Sequence, residues 1–147
     1  MTDKKRNDLF YVCSLIEYIG RKTKNKRKDI VERINKSGIE KLMHDAEMDH
    51  CLSFEQVSDE VIAEYGILTG NFDTVTDCKY SVPSYLDIGK LYSIMIEDLA
   101  EEKDEVPTLI KLFSSFISDE ISNFQTGVYY QNPSYLECSY QEGYLMK

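Results

Sequence analysis

Both histidines of the chain fall in one polar cluster between His44 and Cys51, together with three carboxylates and a thiol. These are side-chain types that bind transition metals. On a helix, however, His44 and His50 are six residues apart, about 600° of rotation, and therefore diverge by roughly 120°. Glu47 has helical spacing to His44 and to Cys51, but a site would still need ligands from elsewhere. We therefore predict no metal here, and expect a helix end where His50 meets free carbonyl groups.

Three acidic doublets could supply carboxylates for acid–base chemistry, and they are Asp59-Glu60, Glu97-Asp98 and Asp119-Glu120. In charge-rich helices such doublets are typical of solvated faces. The sequence has no glycine-rich phosphate loop, nucleophile elbow or HExxH motif. We predict no catalytic residue and no cofactor, so the chain is not expected to be an enzyme. An acidic helical hydrolase would require these carboxylates to converge in a pocket.

Basic residues are concentrated near the start of the chain. Residues 1–43 carry 12 Lys/Arg and 6 Asp/Glu, whereas residues 44–147 carry 5 and 20, for a net charge of −9. The densest basic segment comprises Arg21, Lys22, Lys24, Lys26, Arg27 and Lys28. It could be a solvated linker, a phosphate-contacting segment whose affinity falls with salt, or a face that orients a partner. Binding of nucleic acid by the whole molecule is disfavoured because its overall field repels phosphate.

The composition is that of an ordinary globular domain: 147 residues, 42% hydrophobic and 29% charged. The longest uncharged apolar stretch near the start, residues 9–16, is far shorter than the roughly 20 residues of a membrane span. The four cysteines form no CxxC pair and no dense framework, which favours reduced thiols. We expect a cytoplasmic protein with no membrane association.

Apolar residues recur at helical spacing in six segments, which predicts an all-α fold, a single compact bundle of five to seven helices over 1–147. The N-terminal half, 8–66, contains a first helix capped by Asp8, a short second helix stopped at Ser37-Gly38, a third helix, and a fourth from Ser53 to Gly66. Residues 67–83 break the period and predict a loop, which could contain a short strand pair.

The central helix pair, 84–124, forms the second part. A fifth helix is expected from Ser84, with Asp87 completing a capping box, and a sixth from Pro107 to about residue 124. Helices one, five and six should be central. Residues 80–87 and 130–137 both read Y-x-x-P-S-Y-L-acid. We interpret this echo as one helix-entry device used twice, which predicts a short helix from about Ser134.

The C-terminal segment, 125–147, contains five of the 11 tyrosines. Tyrosine is enriched at protein interfaces because its ring is amphipathic. The candidate partner-binding residues are four of these tyrosines and acidic residues before them, namely Tyr129, Tyr130, Tyr135, Tyr140, Glu97, Asp98, Glu101 and Glu102. A tail packed on the body of the protein is the other interpretation.

Residues 8–67 carry the patterns FYVCSLIEY and SFEQVSDEVI. In this order they resemble small helical proteins of bacterial toxin–antitoxin operons, particularly operons that also encode ADP-ribosyltransferase-like toxins. The resemblance implies an antitoxin or accessory protein that acts by binding, with no catalytic residues to transfer. It implies a protein partner encoded nearby, and a homodimer is also compatible with it.

Two functions from different classes therefore stay open. The first is a non-enzymatic protein-interaction module that neutralises a partner by occlusion, using acidic side chains against the partner's basic surface. The alternative is a small nucleic-acid-binding transcriptional regulator that uses residues 21–28. A helix–turn–helix is only superficially matched by residues 26–47, because the expected recognition helix carries Asp45 and Glu47, which repel a DNA backbone.

Overall fold

The first helix, α1 (Asp3–Thr23), lies at the centre of a computed structural model that describes residues 1–102 and 104–146. It begins earlier than predicted, because the Thr2 hydroxyl accepts a hydrogen bond from the Lys5 amide at 3.2 Å and so caps the helix. The predicted cap, Asp8, instead lies within the helix. The predicted inward side chains are all fully buried, and they are Leu9, Val12, Cys13, Ile16 and Ile19.

Helix α2 (Arg27–Asp49) joins the predicted second and third helices and is broken at Asn35, so the stop predicted at Ser37-Gly38 is wrong. Asn35 has φ 64° and ψ 177°, and its side-chain oxygen accepts a hydrogen bond from the Gly38 amide at 3.2 Å, which caps the second half. Gly38 lies inside that half, where a Cβ would come within 2.9 Å of the Tyr65 hydroxyl oxygen. This glycine therefore serves packing and not termination.

Helix α3 (Phe54–Tyr65) confirms both predicted ends. The Ser53 hydroxyl accepts a hydrogen bond from the Gln56 amide at 3.1 Å, and Gly66 ends the helix with a left-handed φ of 61°. No strand occurs in residues 67–84, so the short strand pair is not observed in this fully described loop. The loop instead hydrogen-bonds to the end of α1, from the Gly70 amide to the Thr23 carbonyl and from the Phe72 amide to the Lys24 carbonyl, both at 2.8 Å.

Helix α4 (Tyr85–Ala100) begins with the predicted capping box of Ser84 and Asp87. The predicted sixth helix is two helices, α5 (Glu105–Phe113) and α6 (Phe116–Ser122). They separate at Ser115, whose hydroxyl donates a 2.7 Å hydrogen bond to the Leu112 carbonyl. Serine side chains compete with the helical backbone in this way, and an apolar stripe alone does not reveal it.

A 3₁₀ turn (Val128–Tyr130) leads to α7 (Pro133–Glu142), which confirms a short C-terminal helix. The entry device is not the expected copy of α4. The Asn132 side chain accepts a hydrogen bond from the Ser134 amide at 2.8 Å, and Pro133 occupies the first turn. Asparagine before the proline can cap the helix, whereas valine at the corresponding position 82 cannot, so there the cap shifts to Ser84.

The architecture is all-α, with seven α-helices and one 3₁₀ turn in the described residues. Helix α1 packs most extensively against α4 and α2, α5 lies against α2 and α4, and α7 covers α4 and α6. Buried apolar side chains from all seven helices form one contiguous core. Within residues 1–102 and 104–146, no helix combines the length and apolar character that a bilayer crossing requires.

Candidate functional site

A cleft of about 640 Å³ lies on the flank of α1, where three other helix ends meet it. Helix α2 contributes its last turn with Glu47 and His50, α3 contributes Phe54 from its first turn, and α4 contributes Leu86. The volume falls within the range of about 300–1,000 Å³ that is common for small-molecule sites. The cleft exists because each of these helices starts or stops at a cap, which brings side chains from four elements to one place.

Aromatic rings form much of the cleft wall. Tyr11 stacks on Phe54 with 5.2 Å between ring centroids and meets the edge of His50 at 5.9 Å. The Phe10 ring also faces the cleft, and the Lys90 ammonium lies 5.5 Å from its centroid. The cleft is therefore lined by aromatic side chains, and one of them, Phe10, already has an ammonium group near its ring.

The charge within the cleft is negative, and Lys4 partly offsets it. The Lys4 ammonium lies 2.8 Å from an Asp8 oxygen and 3.8 Å from a Glu47 oxygen. The hydrogen bond to Asp8 raises the pKa of Lys4, and the charges of both carboxylates act in the same direction. The Asp8 side chain is only 10% exposed, whereas that of Lys4 is 62% exposed and so can move away.

Two residues that line the cleft, Tyr11 and Ser14, have buried hydroxyl groups without a hydrogen-bond partner among the described residues, and the Ser14 hydroxyl packs against Gly89 on α4. Burial, followed by the negative charges of Asp49 and Glu60, raises the pKa of Tyr11 to about 12. The phenol is therefore neutral at physiological pH.

The predicted partner-binding residues divide between two regions of the fold. Tyr129 and Tyr130 line a smaller cleft of about 470 Å³ with Pro83 and Asp87, at the start of α4. Glu97 and Asp98 lie near the other end of α4, about 15 Å away at 1.5 Å per residue. Glu97 is also occupied internally, since its carboxylate binds the Arg6 guanidinium at 2.8–3.1 Å.

The remaining predicted residues differ in how accessible they are. Tyr130 is 86% exposed, whereas Tyr135 and Tyr140 are partly buried against the core. The Tyr135 hydroxyl also donates to the Met146 carbonyl, so it is engaged within the tail. Glu101 and Glu102, at the end of α4, are exposed.

An unpredicted pair of carboxyl groups lies between α4 and α7. Burial, together with the hydrogen bond and the negative charge of Asp98 on α4, raises the pKa of Glu137 to about 7. One Glu137 oxygen is buried without another partner in the part of the chain that the structure describes. Glu137 is the acid of the repeated motif at 130–137, and it does not complete a capping box as Asp87 does in α4, because the Asn132 side chain caps α7.

Most of the basic segment 21–28 is engaged within the protein. Lys22 pairs with Asp59 at 2.6 Å, Lys26 with Asp119 at 3.3 Å, and Lys24 approaches Asp73 at 4.0 Å. Arg21 and Arg27 both bind Glu17. Of the six cations, only Lys28 makes no ion pair with a described residue.

Glu17 and Arg27 form a buried ion pair that sequence reasoning missed. Their side chains are each 1% exposed, and two Arg27 nitrogens lie 2.8 Å from the two carboxylate oxygens. Arg21 binds the same carboxylate at 2.7 Å and donates to the Pro83 carbonyl at 2.8 Å. Burial by itself raises the pKa of Glu17, but the two guanidinium groups outweigh burial and hold that pKa below its usual value.

The polar cluster from His44 to Cys51 does not converge. The His44 side chain is 88% exposed and its ring nitrogen lies 3.1 Å from its neighbour Asp45. His50 is the C-cap of α2, which confirms the expected helix end, and Cys51 is exposed. Within the described residues, no three or more His, Cys, Asp or Glu side chains gather as a metal-ligand group.

The acidic doublets are also dispersed. Asp59, Glu97 and Asp119 each form an ion pair with a cation from the N-terminal 26 residues. Each pair links helices, so one member of each doublet contributes to the assembly of the fold. The described residues bring no two of these doublets together in one pocket.

The cleft could have been found only in part from the sequence. Its α1 residues lie at positions 4, 7, 8, 10, 11 and 14, a helical stripe that mixes polar and aromatic types beside the purely apolar stripe. The contributions of His50, Phe54 and Leu86 depend on where three helices stop or start in space. No protein-family model, curated protein or solved structure matches the chain.

Proposed function

We propose that this chain is a non-enzymatic protein-interaction module that occludes a basic surface of a partner, as an antitoxin or accessory protein of a bacterial toxin–antitoxin system. The observation that best supports this proposal is the distribution of charged side chains over the protein. Five cations of the segment 21–28 are engaged in internal ion pairs, whereas the exposed end of α4 presents acidic side chains.

The acidic end of α4 is formed by Asp98, Glu101 and Glu102, all of them exposed and without an ion pair to a described residue. A group of like charges on a protein of net charge −9 attracts a basic partner and speeds its association. Tyr130, which is 86% exposed, supplies the kind of aromatic side chain that anchors interfaces. The resemblance of residues 8–67 to antitoxin-like proteins supports the same class.

The alternative of a nucleic-acid-binding regulator receives less support from the geometry. A phosphate-contacting segment needs cations that are free to exchange counterions for phosphates. Here the charges of Arg21 and Arg27 are neutralised in part by Glu17, and Arg27 is buried. Contact with DNA would require several internal ion pairs to break.

The proposal is tested by co-expressing the tagged chain with the product of the adjacent gene and measuring the affinity of the purified complex. Replacing both Glu101 and Glu102 with lysine should weaken the complex by on the order of tenfold, because like charges would then face each other. The matched control is E55K/E60K, which changes the net charge equally on exposed positions of α3.

The proposal fails if no neighbouring product forms a complex with the chain. It also fails if E101K/E102K and E55K/E60K weaken the complex equally, because the charge at the end of α4 would then have no specific role.

A further inference from the structure

We propose that the cleft between α1 and the ends of α2, α3 and α4 binds a cationic aromatic group, that is, an aromatic ring attached to a protonated amine. The inference does not rest on the proposed function, because it concerns a separate concave site and can be tested with small molecules. It combines the two properties of the cleft, its aromatic wall and its negative charge.

The aromatic part of the ligand is favoured by the shape and composition of the wall. Three aromatic residues, Tyr11, Phe54 and Phe10, line a volume of about 640 Å³ together with Leu86. Planar rings gain from offset or edge-on contact with such side chains beyond the burial of area alone. An aliphatic chain would gain only the free energy of burying its apolar area.

The cationic part is favoured by the carboxylates of Asp8 and Glu47. In the free protein they contact an internal cation, the Lys4 ammonium. Because the Lys4 side chain is more than half exposed, a ligand amine can replace it at the same carboxylates.

The partial charges at the helix ends do not reverse the preference for a cationic ligand. The starts of α3 and α4 bring partial positive charge to the cleft, but Glu55 and Asp87 in their first turns offset it. The end of α2 brings partial negative charge. Lys90 lies over Phe10 and Lys4 contacts both carboxylates, so a ligand amine gains from the cleft where it takes the place of the Lys4 ammonium.

The test is a two-dimensional NMR titration of the ¹⁵N-labelled full chain with tryptamine and with indole-3-propionate, which share a ring and carry opposite charges. We expect saturable shifts from tryptamine at the amides of Tyr11, His50 and Phe54, with a dissociation constant on the order of 1 mM for a ligand of this size. Indole-3-propionate should bind at least about tenfold more weakly.

Variants separate the cleft from the general charge of the protein. D8N/E47Q should reduce the preference for tryptamine to less than about twofold, and K4A should strengthen tryptamine binding because it frees both carboxylates. The matched control E40Q/E142Q neutralises two exposed carboxylates outside the cleft and should leave binding unchanged. Circular dichroism verifies that each variant retains its helices.

The tripeptide acetyl-Lys-Trp-Lys-amide distinguishes a free amine from a segment of a protein as the source of the group. Tighter binding of tryptamine indicates a free arylalkylamine, and tighter binding of the tripeptide indicates a protein segment. The proposal is overturned if neither probe binds saturably, if indole-3-propionate binds as well as tryptamine, or if D8N/E47Q and E40Q/E142Q have the same effect.

Discussion

Replacing Arg27 with methionine should destabilise the fold by about 3 kcal/mol. Removing one partner of a buried ion pair typically costs about 3–5 kcal/mol, because the other charge stays buried. Glu17 would lose two hydrogen bonds of 2.8 Å but would keep Arg21 at 2.7 Å, which places the expected cost at the lower end. Methionine retains much of the volume, so a cavity contributes little.

The double variant E17M/R27M should recover most of this loss and lie within about 1 kcal/mol of the parent, since well-packed apolar residues replace buried ion pairs at little cost. Arg21 would then keep its hydrogen bond to the Pro83 carbonyl and its place over the Phe124 ring. A matched exposed pair provides the control: K22M, which breaks the pair with Asp59, should cost less than about 1 kcal/mol.

Urea denaturation followed by circular dichroism measures these differences, provided that the dependence of the unfolding free energy on urea is unchanged. The reasoning is refuted if R27M unfolds within about 1 kcal/mol of the parent. It is also refuted if E17M/R27M is as unstable as R27M, because the loss would then come from packing and not from an unpaired charge.

Substitutions at three further positions test other parts of the fold by measurements of stability. The pKa of Glu137 is raised in the folded state, so the stability that its protonated carboxyl contributes is complete below pH 4.5 and is lost as the pH rises through about 7. E137Q should abolish this loss of stability, which amounts to about 1–2 kcal/mol after allowing for the exposure of Asp98. Equal stability of the parent and the variant at pH 8 would contradict the prediction. Because Asn35 has a positive φ, N35G should stabilise the protein by about 1 kcal/mol, since the strain it relieves exceeds the small cost of losing the side-chain cap to the Gly38 amide. N35A should destabilise the protein by about 1 kcal/mol, because alanine loses the same cap and keeps the strained φ. The opposite order of the two variants would exclude strain at this position. G89A should lower the free energy of unfolding by about 3 kcal/mol, because a Cβ at this position would lie 2.7 Å from the Ser14 backbone. A thermal melt unchanged from that of the parent would contradict this prediction, because it would show that α1 and α4 can move apart at little cost.

Element types were predictable wherever a cap and an apolar stripe agreed. Three helix ends were marked correctly because their signals act locally: Ser53 and Ser84 cap through side chains within three residues, and Gly66 ends α3 with a left-handed backbone. Errors arose where a residue type has two uses. Gly38 has the residue type of a helix terminator, but it lies inside a helix where a side chain would not fit. Ser115 separates α5 from α6 although the apolar residues continue at helical spacing across it.

The sites were less predictable because they depend on distances between elements. Nothing in the spacing of Glu17 and Arg27 indicates a buried pair, since a basic run usually lies in solvent. The sequence also could not show that Tyr130 and Glu97 lie at opposite ends of α4, because their order along the chain gives no distance between a helix and the tail that folds back on it.

Salt dependence of the complex with the adjacent gene's product tests the central claim, that an acidic surface of this chain docks on a basic partner. The measurement is the dissociation constant by titration calorimetry at several sodium chloride concentrations. The affinity should fall as salt rises, and the dependence should become shallower for E101K/E102K but not for E55K/E60K. An affinity that does not change with salt, or a dependence that both variants alter alike, would contradict the claim.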